Sequence, residues 1–211
     1  MSKDLNSVGM KKGQQYETII TTNDNEGMEN AAPIGIICKE NDKIICRIYK
    51  GSHTLKNIYV KREFIVNITN DPLLFTLSSI GNLPKEYFVE NSKIAILKDV
   101  EAYIKCKVTD IKETTKHNDP IKKSTIGIIK ADVEEIIINK KCVKAANRGF
   151  YSLIDSLVNF TRIEMVTQEK QKYFLQRFME SKRIINKVGS KEEKKAIKIL
   201  QKTLKSKGYE I

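Results

Sequence analysis

The residues best suited to chemistry lie between positions 30 and 57. Gly51-Ser52-His53-Thr54 precedes an apolar stretch containing Leu55 and Ile58, so a helix is expected to start there with a hydroxyl cap. The first N–H groups of a helix have no partner within it, and the dipole is positive at that end. Both features favour a phosphate dianion, and the Ser52 and Thr54 hydroxyls add donors. Arg47, Lys50 and Lys56 stand nearby in sequence; Arg can grip phosphate oxygens in pairs and Lys can supply a point charge. The same residues equally describe an ordinary capped helix beside solvated charges.

A second segment, NAAPIGI at Asn30–Ile36, combines small residues with a proline. Ala31, Ala32, Pro33, Ile34 and Gly35 could bring main-chain groups close to the polar rim of a flat ring whose apolar body is buried, or could simply form a turn entering a strand. Asn57 and Asn67 sit among apolar neighbours, so burial obliges each to find a backbone or ligand partner. Tyr49 can cover a ring or pack in a core. Arg148 and Arg162 can reach such a site or make intersubunit ion pairs, and Glu17 can cap an interface or face solvent. No Ser-His-Asp set, carboxylate pair or glycine-rich nucleotide loop emerges, so no catalytic residue is singled out. An enzyme built on this chain would take its chemistry from a cofactor.

The elements that must position these residues are mostly strands. Tyr16–Thr22, Pro33–Cys38, Lys43–Tyr49, Arg62–Ile68, Ile94–Leu97, Ala102–Ile111 and Ser124–Ile138 are rich in β-branched residues. Turns are expected at residues 23–27, 39–42 and 117–120. The runs are too many and too close for βαβ units, so a barrel or sandwich is indicated. Two short helices interrupt them, near Ser52–Ile58 and Asn70–Phe75, the latter with Pro72 in its first turn. From Ala145 the period becomes helical. Phe150, Leu153, Ile154, Leu157 and Val158 form one stripe; Tyr173, Phe174, Phe178, Ile184 and Ile185 form a second; and Ser190-x-x-Glu193 opens a third helix ending near Gly208.

Taken in order, ETIITT, NAAPIGI, RIYKGSHTLKN and FIVNIT followed by Asp71-Pro72 resemble an archaeal flavin-binding family long catalogued as an uncharacterised domain. That family is itself similar to the flavin reductase and pyridoxamine-phosphate oxidase split barrels. The stretch from Asn147-Arg148-Gly149-Phe150 through Val158-Asn159-Phe160-Thr161-Arg162 resembles the helical region that follows the barrel there. The resemblance implies a mainly β chain with α: an FMN-binding split β-barrel over residues 1–145, then a small C-terminal helical annex over 146–211 packed on the barrel or on a dimer partner. It further implies non-covalent FMN at a homodimer interface and redox exchange with a reduced nicotinamide or deazaflavin. The alternatives are a non-catalytic flavin carrier and, after it, a nucleic-acid-binding protein that uses the basic C-terminal helices. The cofactor-binding set implied is Ala31, Ala32, Pro33, Ile34, Gly35, Arg47, Tyr49, Lys50, Ser52, Thr54, Asn57 and Asn67.

Composition narrows the remaining classes. With 211 residues, 40% hydrophobic and 30% charged, the chain can bury a core. The polar start and the lack of a 20-residue apolar run predict no membrane span and a cytoplasmic location. The four cysteines, at 38, 46, 106 and 142, form no CxxC pair. The two histidines, His53 and His117, have no ligand at metal spacing, so no metal site is expected. Cys38 and Cys46 lie in isoleucine-rich runs and read as small hydrophobes. Of the net +12, the 15 basic and 7 acidic residues of 146–211 contribute +8. These cations are scattered along helices with few aromatics to stack on bases, so they read as a solvated face and nucleic acid is not expected as a partner.

Overall fold

The computed structural model describes residues 3–116, 124–141 and 143–211. They divide into two compact units, one up to Ala146 and one from Asn147 onward. In the first, strands β1 (Gln15–Asn23), β2 (Glu29–Glu40), β3 (Lys43–Tyr49), β4 (Glu63–Ile68), β5 (Ala102–Lys116) and β6 (Ser124–Ile138) close an antiparallel barrel in the order β1-β2-β3-β6-β5-β4. Closure comes from β1 pairing with β4 at Ile19↔Asn67, Ile20↔Val66 and Thr21↔Ile65. Strand alternation sends Ile44, Cys46 and Ile48 of β3 inward with Ile20, Ile36, Val66, Ile104 and Ile129. The turn expected at 117–120, with His117, lies outside the described residues, as does Cys142.

Helix α1 (His53–Lys61) closes one end of the barrel, burying Leu55 and Ile58 in this core. Leu55 fits only because position 127 is glycine: a Cβ there would stand 2.8 Å from Leu55 Cδ1. A second, smaller core lies on the outer side of β1 and β2. There Ile19 and Ala31 meet Leu74 of α2 (Pro72–Ile80) together with Leu83, Phe88, Ala95, Leu97 and Val100. Helix α2 is capped by Asp71, whose carboxylate accepts from the Leu73 and Leu74 N–H groups, with Pro72 in its first turn as expected.

The strand expected over Ile94–Leu97 is absent. Only one bridge, Phe88↔Leu97, forms there, and left-handed Asn91 and Asp99 bracket the segment. Backbone bonds from Val89 N to the Ile96 carbonyl and from Lys98 N to the Tyr87 carbonyl, both 2.8 Å, hold one edge of the segment, and side chains serve its other backbone groups. Asn23 Oδ1 accepts from Ala95 N (2.7 Å), Asn67 Oδ1 accepts from Leu97 N (3.2 Å), and the Thr21 hydroxyl donates to the Ala95 carbonyl.

The second unit contains α3 (Arg148–Arg162), α4 (Gln168–Val188) and α5 (Lys191–Ser206). Ser190 and Glu193 form the expected capping box, with bonds of 3.2 and 2.9 Å. Its core is Leu153, Ile163, Phe174, Phe178, Ile185, Ile197, Leu200 and Leu204. The apolar stripe expected on α3 divides: Leu153 is buried, whereas Phe150, Ile154, Leu157 and Val158 are 40–49% exposed. The buried line of α3 runs instead through Leu153 and Ser156, with Phe160 packed against the core. Among the described residues no helix is long and apolar enough to cross a membrane.

Candidate functional site

The N-terminus of α1 meets the entry of β2. Ser52 is the cap: its hydroxyl accepts from Leu55 N (3.3 Å) and donates to the Tyr49 carbonyl (2.9 Å), which ties the end of β3 to the helix start. One position into the helix, Thr54 is 2% exposed, and its hydroxyl oxygen accepts from Asn30 Nδ2 at 3.0 Å. The same Asn30 amide donates to Thr22 Oγ1 (3.3 Å), which also accepts from Asn57 Nδ2 (3.0 Å). Thr22, Asn30, Thr54 and Asn57 thus form one largely buried polar cluster joining β1, β2 and α1. Its groups satisfy one another, which is the condition for keeping such groups away from water.

Two clefts flank the β1–β2 turn. One of about 270 Å³ is lined by Asn23, Asp24, Asn25, Glu26, Lys56, Asn57 and Val60. The other, of about 290 Å³, lies on the far side of the turn, where Lys61, Glu63, Phe64, Lys93 and Lys105 contribute to its wall. Asn57 therefore links the polar cluster to an open cleft.

The structure brings together Tyr49, Ser52, Thr54, Asn57 and the Asn30 end of NAAPIGI. Arg47 and Tyr49 are exposed and face outward from β3, on the opposite side to Cys46 and Ile48. Lys50 is exposed and forms an ion pair with Glu113 at 2.8 Å; the Tyr59 hydroxyl donates to the other carboxylate oxygen at 3.0 Å. The hydrogen bonds from Lys50 and then Tyr59 hold the Glu113 carboxyl below its ordinary range, and the Glu113 hydrogen bond raises Lys50. Any anion at the helix start would compete with this carboxylate for Lys50.

The other residues singled out from the sequence lie elsewhere. Ala31 is buried in the outer core. Pro33 is in register with Ile19, and Ile34 packs against the barrel core while its carbonyl accepts from the Thr18 hydroxyl at 2.8 Å. Ala32 is half-buried beside them. Gly35 does permit a close approach, but by a protein group: a Cβ there would fall 2.5 Å from Gln15 Nε2. Asn67 is fully buried, donates to the Ile19 carbonyl (3.0 Å) and Thr21 Oγ1 (2.9 Å), and accepts from Leu97 N. Its amide is satisfied by the protein itself.

Sequence reasoning passed over Thr22, Asn30, Tyr59 and Glu113 as site residues. A signal existed for Thr22, a polar residue on the same alternation as inward-facing Ile20. None existed for Glu113, which meets Lys50 from 63 positions away. The thiols of Cys38 and Cys46 are buried, and burial pushes both up to about 12, as suits packing residues. Among the described residues no cluster of three or more His, Cys, Asp or Glu could hold a metal ion.

Residues 16–140 match the domain described as the N-terminal domain of a protein of unknown function, DUF447, and residues 147–202 match the C-terminal DUF447 domain. The uncharacterized protein MJ1453 of Methanocaldococcus jannaschii is 26% identical over 192 residues, which cover 89% of this chain and 97% of that one. The crystal structure of FMN-bound protein MM1853 from Methanosarcina mazei, of the same family, is 27% identical. It superposes with a TM-score of 0.54 over 94% of this chain and 99% of its own.

Proposed function

The chain belongs to the DUF447 family through both of its domains, and on that premise we propose that it is a flavoprotein that binds FMN without covalent attachment. The observation that carries the reading is the Asn30–Thr54 hydrogen bond, which joins the two segments best suited to a flat ring and to a phosphate. Support also comes from the FMN-bound relative, whose likeness spans both domains.

In this reading the α1 N–H groups, Ser52, Thr54, Arg47 and Lys50 receive the phosphate. Ala31, Ala32, Pro33, Ile34 and Gly35 run beside the flavin, with Asn57 at the cleft wall and Tyr49 over the ring. Asn67 acts behind them, holding β1 and the 95–97 segment in place. The cofactor supplies hydride or electron chemistry when bound, and the protein supplies orientation and electrostatics. The flavin lies between two copies of the chain and exchanges electrons with a reduced nicotinamide or deazaflavin.

The test is direct. The purified protein is expected to carry a flavin absorbance band near one per chain, or to gain it on adding FMN. Arg47→Ala is expected to weaken FMN more than riboflavin, which lacks the phosphate. A pulse of reduced nicotinamide should bleach the band, and air should restore it. Failure to bind added FMN would overturn the reading. Binding without bleaching by nicotinamide or a reduced deazaflavin would remove its redox part and leave a flavin carrier.

A further inference from the structure

Strands β1 and β4 close the barrel over three residue pairs and then part. Their pairing ends at Thr21↔Ile65, although β1 runs on to Asn23 and β4 begins at Glu63. Main-chain groups are left facing the gap. The Asp24 N–H donates to the Met28 carbonyl on the β2 side, and the Arg62 carbonyl accepts from Val108 N on the β5 side. Across a trans peptide the C=O and N–H point opposite ways, so the Asn23 carbonyl and the Glu63 N–H both point into the gap. One rim offers an acceptor and the other a donor, where a longer ladder would have joined them.

The cleft of about 290 Å³ lies on this gap, with Ile65, Ile94 and Ala95 in its apolar lining and charges of both signs on its walls. Two of those charges are engaged: Lys105 by Glu135 at 2.5 Å, and Glu63 by Lys107 at 3.9 Å. Lys61, Lys93, Glu26 and Glu134 have no ion-pair partner among the described residues. Glu134 reaches the cleft through a bulge in β6: Lys105 pairs with Glu135 and Cys106 with Val133, so Glu134 is the extra residue between them. A lone anion in this cleft would meet the carboxylates, and a lone cation the lysines. A zwitterion with an amide between its charges meets a partner at each group.

We propose that the gap binds a short peptide with free ends, a di- or tripeptide lying along the line that the β1–β4 ladder leaves open. A peptide N–H donates to the Asn23 carbonyl and a peptide carbonyl accepts from the Glu63 N–H, as an added strand does at a sheet edge. Glu26 and Glu134 serve the ammonium end, Lys61 and Lys93 serve the carboxylate end, and Ile65 and Ala95 receive an apolar side chain. Size sets the length: the cleft stands at the small end of ligand pockets, which run from about 300 Å³ upward, so a longer chain does not fit. The site lies across the β1–β2 turn from Lys56 and Asn57, and it does not depend on the flavin reading.

The experiment uses the full chain and two probes, Gly-Leu and Ala-Leu-Ala, titrated by calorimetry with and without added FMN. At least one probe is expected to bind at a single site per chain, and acetylating its amino end or amidating its carboxyl end should each weaken it about fivefold. Lys93→Gln should weaken the free acid and leave the amide unchanged, while Glu134→Gln should weaken the free amine and leave the acetylated form unchanged. Both positions are exposed, so the melting temperature should stay the same. In a nitrogen–proton correlation spectrum the Glu63 amide should shift as the probe is added. Failure of both probes to bind at millimolar concentration would overturn the proposal. Equal binding of blocked and free forms would do so too, as would variants that bind the free probe as tightly as the natural protein or a Glu63 amide that does not move. Displacement of the probe by FMN would put the peptide in the flavin site and overturn it as well. A protein that binds the probe and no FMN fails the cofactor reading alone.

Discussion

Replacing Thr54 with Val removes one hydroxyl and almost no volume, at a site where only 2% of the residue is exposed. Asn30 Nδ2 then loses its 3.0 Å acceptor and keeps only Thr22 Oγ1 at 3.3 Å. Leaving a buried donor unsatisfied costs about 1–3 kcal/mol, and the remaining bond and partial exposure of Asn30 place this case near 1–2 kcal/mol. That corresponds to a fall in Tm of roughly 2–8 °C for a chain of this size. The second effect is on ligand. A hydroxyl donating to a phosphate makes a charge-assisted bond worth about 1.5–3 kcal/mol, so FMN should bind about ten- to a hundredfold more weakly. Riboflavin should change by less than about threefold. Fluorescence quenching titrations of both flavins, with thermal melts of the flavin-free protein, measure the two effects separately. Thr54→Ser, which restores the hydroxyl, should recover most of both. Equal weakening of FMN and riboflavin would refute the phosphate assignment, and an unchanged melt would refute the role given to the polar cluster.

Glu113→Gln removes the carboxylate that occupies Lys50, so FMN should tighten a few-fold while riboflavin does not, with the gain fading at high salt; an unchanged FMN affinity would show that Lys50 plays no part. Stability should also depend on alkaline pH. Burial lifts the Cys38 and Cys46 thiols from 9.0 to about 12, so above pH 9 the unfolded chain releases protons that the folded chain retains. Stability from this source is therefore level below about pH 9 and falls as pH rises from 9 towards 12, by about 1.4 kcal/mol per pH unit for each thiol. Denaturant unfolding from pH 7 to 10.5 should show a shallower fall in Cys38→Ala/Cys46→Ala than in the natural protein, and identical slopes would contradict the burial argument.

The sequence by itself determined what depends on near neighbours. Alternating β-branched residues placed β1, β3, β4, β5 and β6, because a strand with one face buried has a period of two. Ser52, Asp71 and Ser190 marked helix starts, because a cap bonds to N–H groups two or three residues away. What tertiary structure decided were the contacts whose partners lie far along the chain. Ile94–Leu97 reads as a strand, yet Asn23, Asn67 and Thr21 take the Ala95 N–H, the Leu97 N–H and the Ala95 carbonyl, and no local pattern records partners 30 to 74 residues away. The α3 stripe was visible as periodicity, but the choice of Leu153 over Ile154 for the core depends on where α4 and α5 lie. Asn57 and Asn67 looked alike among apolar neighbours. Folding put one on a cleft wall and consumed the other's amide within the barrel, since a buried polar group takes whichever partner the packing brings within 3 Å.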